Sequence, residues 1–106
     1  MNEIFELHAD ICKTFANSKR LEIIDALRDQ EMTASQLLMR IDTSKANLSQ
    51  HMKVLVEKGV VDSRKDGVKV YYRLSDERIT KACDLMREVL IKRLELNNKI
   101  LQNLRK

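Results

Sequence analysis

The chain has 106 residues, of which 43% are hydrophobic, 34% charged and 4% aromatic, with two glycines and no proline or tryptophan. This length has room for one small domain, residues 1–106, and the composition favours amphipathic helices over sandwiches, barrels or Pro-rich linkers. No apolar run approaches the roughly 18 to 20 residues that cross a bilayer, and residues 1–10 hold three acids and no base, unlike a secretory signal. We therefore expect a cytoplasmic protein without a membrane partner.

The charge of the chain is concentrated in its middle. Lys plus Arg number 20 against 16 Asp plus Glu, so the formal net charge is +4. Residues 33–75 hold eight bases and four acids, which accounts for the whole excess, and the remaining residues hold twelve of each sign. A basic stretch between neutral ends fits a nucleic-acid surface or an ordinary solvated surface, and charge alone does not separate the two.

The first forty residues predict three helices. Apolar side chains recur at helical spacing over about 2–16, and Asn17 or Ser18 is placed to cap a second helix. Thr33 and Gln36 form a capping-box pair that opens a short third helix.

The fourth predicted helix, over about 44–58, has two distinct faces. It follows the third after a connection of cap-forming residues and ends at Gly59. Leu48, Met52, Leu55 and Val56 mark a buried stripe, which leaves a polar, basic face opposite. Two helices that meet across so short a connection indicate a helix-turn-helix, with the fourth helix as the recognition helix.

After the recognition helix the apolar period changes to two. Two β-rich runs flank Asp66 and Gly67, which predicts a hairpin, the wing, over about 60–74. The last helix covers about 76–104 and is roughly 42 Å long at about 1.5 Å per residue. So small a domain cannot cover that length, so its apolar stripe requires a partner, most simply the same helix of a second chain.

These elements predict a mainly α (α+β) fold, a winged helix-turn-helix of order α-α-α-α-β-β-α. The recognition helix fits the DNA major groove, where polar side chains reach base edges and lysines hold phosphates, and the wing places cations along the adjacent backbone or minor groove. Double-stranded DNA is the expected partner. The candidate DNA-binding residues are Ser44, Lys45, Asn47, Ser49, Gln50, His51, Lys53, Arg64, Lys65 and Lys69. For His51, close to the apolar stripe, a structural hydrogen bond is the alternative.

Three stretches of the sequence resemble the ArsR/SmtB family of bacterial and archaeal transcriptional repressors. They read FANSKRLEII at 15–24, SKANLSQHMKVL at 44–55 and GVKVYYRL at 67–74, so the resemblance spans nearly all of the chain. It implies a homodimer whose interface is formed by the first and last helices. Such a dimer occupies a palindromic operator, represses transcription and releases DNA when an inducer binds.

The metal sites implied by this resemblance are not preserved here. Family metal sensors often carry a Cys-x-Cys box where this chain has Met32 and Ala34. Of four zinc-ligand positions in the last helix, only Asp76 fits, and the others hold Arg78, Val89 and Lys92. We therefore expect no bound metal and no cofactor.

The two cysteines have two interpretations. Cys12 in the first helix and Cys83 in the last lie on apolar stripes, and the resemblance packs these helices together at the dimer interface. A thiol sensor would link the two sulfurs through oxidation, a persulfide or a metalloid and shift the recognition helices. Alternatively, each cysteine is a small buried hydrophobic side chain. His8, on the same face of the first helix, is interpreted as a core histidine, and the inducer is not identified.

A protein-interaction module is the alternative function, with the winged domain as a scaffold and the last helix recruiting a partner. An enzyme is not expected, because the sequence has no Gly-rich phosphate loop, no Ser/His/Asp set and no cluster of acids with a histidine.

Overall fold

The computed structural model describes residues 2–105, so Met1 and Lys106, the ends of the predicted domain, lie outside the described residues. Within that range five helices and three strands follow in chain order. They are α1 (Asn2–Phe15), α2 (Ser18–Ala26), β1 (Met32–Thr33), α3 (Ala34–Arg40), α4 (Lys45–Glu57), β2 (Val61–Asp66), β3 (Lys69–Leu74) and α5 (Arg78–Arg105). The predicted helix-turn-helix, hairpin and long last helix are confirmed.

Side-chain caps determine where the middle helices begin. The Asn17 side chain caps α2. At α3 the Thr33 hydroxyl accepts from the Gln36 backbone N–H at 3.2 Å, and the Gln36 side chain accepts from the Thr33 N–H at 2.8 Å, which confirms the capping box. Ser44 caps α4 by accepting from the Asn47 N–H at 3.0 Å. These bonds satisfy N–H groups that the first turn of a helix leaves free.

The core joins the helix-turn-helix to the base of the hairpin. Leu48, Met52 and Leu55 of α4 are buried, as the apolar stripe predicted, whereas Val56 is half-buried and packs against the edge of the core. They contribute to one cluster with α2, α3 and the first strand of the wing. Its most deeply buried side chains are Ile23, Ile24, Leu27, Leu37, Leu48, Leu55 and Val61. This burial fixes α4 on one side and leaves its opposite face free.

The sheet contains one strand more than predicted. Its order is β1-β3-β2, all antiparallel, with Met32 opposite Tyr72 and Thr33 opposite Tyr71. The predicted order α-α-α-α-β-β-α therefore lacked β1. Two residues are too few to show an alternating pattern, and this strand exists because β3 supplies its hydrogen-bonding partner.

The turn of the wing also differs from the prediction by one residue. Asp66 pairs with Lys69, so the two loop residues are Gly67 and Val68 rather than Asp66 and Gly67. Gly67 has φ of 64° and takes the first central position, as in a type II′ turn. A turn centred on Asp66 and Gly67 would place positive φ on both residues, and here only the glycine adopts it.

The long helix α5 begins two residues after the predicted start. The Asp76 carboxylate accepts from the Arg78 backbone N–H at 2.8 Å and begins the helix. A two-pronged ion pair from Arg28 to Asp84, at 2.8 and 2.6 Å, joins α5 to the turn that follows α2. Residues 85–105 are exposed throughout. No helix among residues 2–105 is long and apolar enough to cross a membrane.

Candidate nucleic-acid interface

The outer face of α4 carries most of the predicted DNA-binding residues. The side chains opposite the buried stripe are polar or basic, and the first turn holds no acid. The helix therefore presents hydrogen-bonding groups and cations beside its own free N–H groups, an arrangement suited to an anion. The exposed residues are the N-cap Ser44 and, within the helix, Lys45, Asn47, Ser49, Gln50 and Lys53.

His51 lies at the edge of that face and is half-buried. Burial lowers its pKa, and the nearby positive charge of Arg20 lowers it further. The Arg20 side chain is itself held by a 2.7 Å bond from Nε to the Thr14 carbonyl oxygen at the end of α1. His51 is therefore neutral at pH 7 and offers one donor and one acceptor rather than a charge.

The wing tip carries two of the three predicted cations. Lys65 and Lys69 are exposed on the two strands beside the turn. Val68, between them at the tip, is 99% exposed. The tip therefore carries two cations and one exposed acid, Asp66, which pairs across the hairpin with Lys69. Its net positive charge suits contact with a phosphate backbone.

The third predicted cation of the wing, Arg64, is bonded within the chain. Its Nε and Nη2 donate to the two carboxylate oxygens of Glu31 at 2.7 and 2.9 Å, and its Cζ lies 4.6 Å from the centroid of the Tyr71 ring. The hydrogen bond from Arg64 lowers the pKa of Glu31. Sequence reasoning did not connect Arg64 with Glu31 or Tyr71, because these residues meet only when β2 and β1 pair with β3.

Both cysteines line an open groove between α1 and α5. The groove has a volume of about 930 Å³, and its mostly apolar walls also include His8, Met86 and Leu90. Cys12 is exposed in this chain and Cys83 is half-buried. His8 is also exposed, so any burial of Cys12 or His8 must come from a second copy and not from the chain itself. Burial raises the pKa of the Cys83 thiol, which keeps it protonated at neutral pH.

Known proteins that are similar to this chain are regulators of transcription with a helix-turn-helix domain. A family model described as "Helix-turn-helix domain" matches residues 15–64. The transcriptional activator HlyU of Vibrio cholerae is 34% identical over 76 residues, which cover 72% of this chain and 70% of that protein. The arsenical resistance operon repressor of Staphylococcus aureus is 45% identical over 65 residues, which cover 61% of this chain and 62% of the repressor.

A solved structure extends the match to nearly the whole fold. The homodimeric winged helix-turn-helix DNA-binding domain of a possible ArsR-family regulator from Mycobacterium bovis, determined by NMR, superimposes with a TM-score of 0.78. It is 26% identical, and the match covers 89% of this chain and 87% of that one.

The fold and these relatives together identify the chain as a winged helix-turn-helix regulator of transcription. More specifically, the chain belongs to the ArsR/SmtB family. This confirms the family resemblance of the three sequence stretches.

Proposed function

We propose that the chain is one winged helix-turn-helix domain that acts as a homodimeric, sequence-specific DNA-binding repressor. The observation that carries this proposal is the two-sided character of α4. Leu48, Met52 and Leu55 are 3% exposed or less and fix the helix in the core. Lys45, Asn47, Ser49, Gln50 and Lys53 of the helix and its N-cap Ser44 are exposed, and Gln50 and Lys53 lie opposite the stripe. A rigid helix with one free polar face is what major-groove reading requires.

The residues of this face divide into two roles. Asn47 and Gln50 carry amides, which pair with adenine through two hydrogen bonds, and thus are the proposed base-reading side chains. Lys45, Lys53 and the α4 N–H groups are proposed to hold phosphates, which position the helix without reading sequence. Lys65 and Lys69 would extend those phosphate contacts from the wing.

A second copy of the chain is the proposed cover for the apolar faces of α1 and α5. Large apolar side chains on both helices are exposed, with Phe5 at 70% and Met86 at 71%, and Leu90 and Leu94 each at 54%. Single exposed apolar residues are ordinary, but a continuous stripe of them indicates an interface. The M. bovis domain, which is homodimeric, supports the presence of a second copy. A two-fold dimer presents two α4 helices and therefore favours a palindromic operator.

We further propose that a thiol-directed inducer acts at Cys12 and Cys83 and releases the operator. Both thiols line the groove that the second copy would cover. An oxidant, a persulfide or a thiophilic metalloid that bridges sulfurs there would alter the packing of the dimer helices and hence the spacing of the two α4 helices.

Selection of duplexes from a random pool tests DNA recognition. We expect enriched sequences with two dyad-related half-sites about one helical turn apart. Gln50→Ala should lose discrimination between operator variants, whereas Lys69→Ala should weaken binding to all of them and lower the salt slope by about 0.9. Gln102→Ala, which changes an exposed glutamine of α5, is the control. A pool without enrichment would contradict the proposal and favour the protein-interaction alternative.

Titration of the operator complex with oxidant, persulfide, arsenite and zinc tests the inducer. Release by a thiol-directed agent from the wild type, and not from Cys12→Ser, would support the sensor. Unchanged binding with all four agents would contradict it and leave the cysteines without a regulatory role.

A further inference from the structure

The wing is supported by a third strand only at its base. β1 pairs with Tyr71 and Tyr72 of β3 and goes no further, whereas β2 and β3 continue to the turn at Gly67. Beyond Tyr71 the hairpin is therefore a two-stranded ribbon, which has little stability of its own. The direction of the tip therefore depends on the side-chain contacts made near Tyr71, the β3 residue nearest the tip that pairs with β1.

Arg64 of β2 lies at the same level of the hairpin as Tyr71. It lies opposite Tyr71 in the register of β2 and β3, and Tyr71 in turn lies opposite Thr33 of β1. The Arg64 side chain crosses the Tyr71 ring, with Cζ 4.6 Å from the centroid, and reaches Glu31 just before β1. One side chain thus connects β2, β3 and the segment that enters β1.

The contact uses the shape of the guanidinium group. Two parallel N–H bonds, at 2.7 and 2.9 Å, match the two oxygens of Glu31, and the planar group stacks on an aromatic face. A lysine ammonium is a point charge and reproduces neither feature. With two donors already bound to a carboxylate, Arg64 is poorly placed to neutralise a phosphate.

We propose that Arg64 is a positioning residue, which with Glu31 and Tyr71 sets the direction of the wing so that Lys65 and Lys69 meet the DNA backbone. This inference rests on the proposed DNA-binding function. It replaces the phosphate contact predicted for Arg64 from the sequence.

The two roles predict opposite effects for Glu31→Gln. If Arg64 contacted a phosphate, removing the competing carboxylate would free it and raise the net positive charge, so binding would tighten. If Arg64 positions the wing, the same change weakens the contact between Arg64 and residue 31. DNA binding then weakens, although the net charge of the protein becomes more favourable. Asp62→Asn is the matched control, because Asp62 is an exposed acid of β2 paired across the sheet with Arg73.

The experiment measures affinity for the selected duplex as a function of salt, with melting curves to show that each variant is folded. We expect Glu31→Gln to weaken binding about threefold, and Asp62→Asn to leave it unchanged or tighter. Arg64→Lys should weaken binding as much as Glu31→Gln, because lysine keeps the positive charge but cannot make the two parallel N–H bonds to Glu31. Tighter binding by Glu31→Gln, or wild-type affinity in Arg64→Lys, would overturn the inference.

Amide hydrogen exchange of the free protein separates this inference from the proposed function. Glu31→Gln should speed exchange in the part of the wing beyond Tyr71, and Asp62→Asn should not. Equal exchange in both variants would overturn the positioning role even if DNA binds. Failure of the wild type to bind any duplex would overturn the proposed function instead.

Discussion

Truncation of Leu90 to alanine tests whether α5 forms the dimer interface. Leu90 lines the groove between α1 and α5 and is 54% exposed in the single chain. The change removes three carbons, about 2.4 kcal/mol of apolar burial at about 0.8 kcal/mol each. A partner could cover the exposed 54%, so about 1.3 kcal/mol is lost per copy and about 2.6 kcal/mol per dimer. That loss raises the dimer dissociation constant about 80-fold.

Sedimentation equilibrium over a range of protein concentrations measures this constant directly. Met39→Ala is the control, because Met39 is 88% exposed on α3, outside the groove. Circular dichroism should show that both variants are folded, since the covered part of Leu90 contributes to the single chain as well. Equal dissociation constants for the two variants, or a wild type that stays monomeric throughout, would refute the assignment of the interface to α5.

Three further predictions concern the residues that begin two helices and form the turn of the wing. Arg78 lowers the pKa of Asp76 from 3.8 to about 2, so Asp76 stabilises the fold above pH 4 and loses that effect as the pH falls through about 2. Asp76→Asn should lower the melting temperature at pH 7, by an amount that disappears near pH 2. Gly67→Ala meets no atom within 4 Å, but its positive φ should cost about 1 kcal/mol in denaturant unfolding. Thr33→Ala removes the capping box and should cost about 1 kcal/mol in the same measurement.

Local signals in the sequence determine most of this fold. The apolar stripe of Leu48, Met52 and Leu55 predicts which face of α4 is buried, because a helix repeats every 3.6 residues whatever its surroundings. The pair Thr33 and Gln36 predicts the start of α3, because both capping bonds join residues three apart. The outer face of α4 follows from the same periodicity, so the face that we propose to read bases was predictable from the sequence.

The remaining features depend on contacts between distant residues. The strand β1 is defined only by its pairing with β3, so its two residues alone do not predict it. The bond between Glu31 and Arg64 joins residues that are 33 positions apart in the chain. From sequence alone Arg64 is a cation on a hairpin, indistinguishable from Lys65. The exposure of Cys12 was missed for a related reason: an apolar stripe predicts burial, but not whether the same chain or a second copy provides it.

The size of the required switch limits how an inducer can act. The polar links from the dimer helices to the DNA-binding part include Asp10 to Lys58 at 2.8 Å and Arg28 to Asp84 at 2.6 Å. These side chains are 34 to 50% exposed, and such pairs are screened by water and contribute little. Moving a two-state equilibrium from 1:99 to 99:1 requires about 10⁴-fold preference for one state. Breaking these pairs falls short of that, so the proposed inducer would have to change the apolar packing of the groove between α1 and α5, where both cysteines lie.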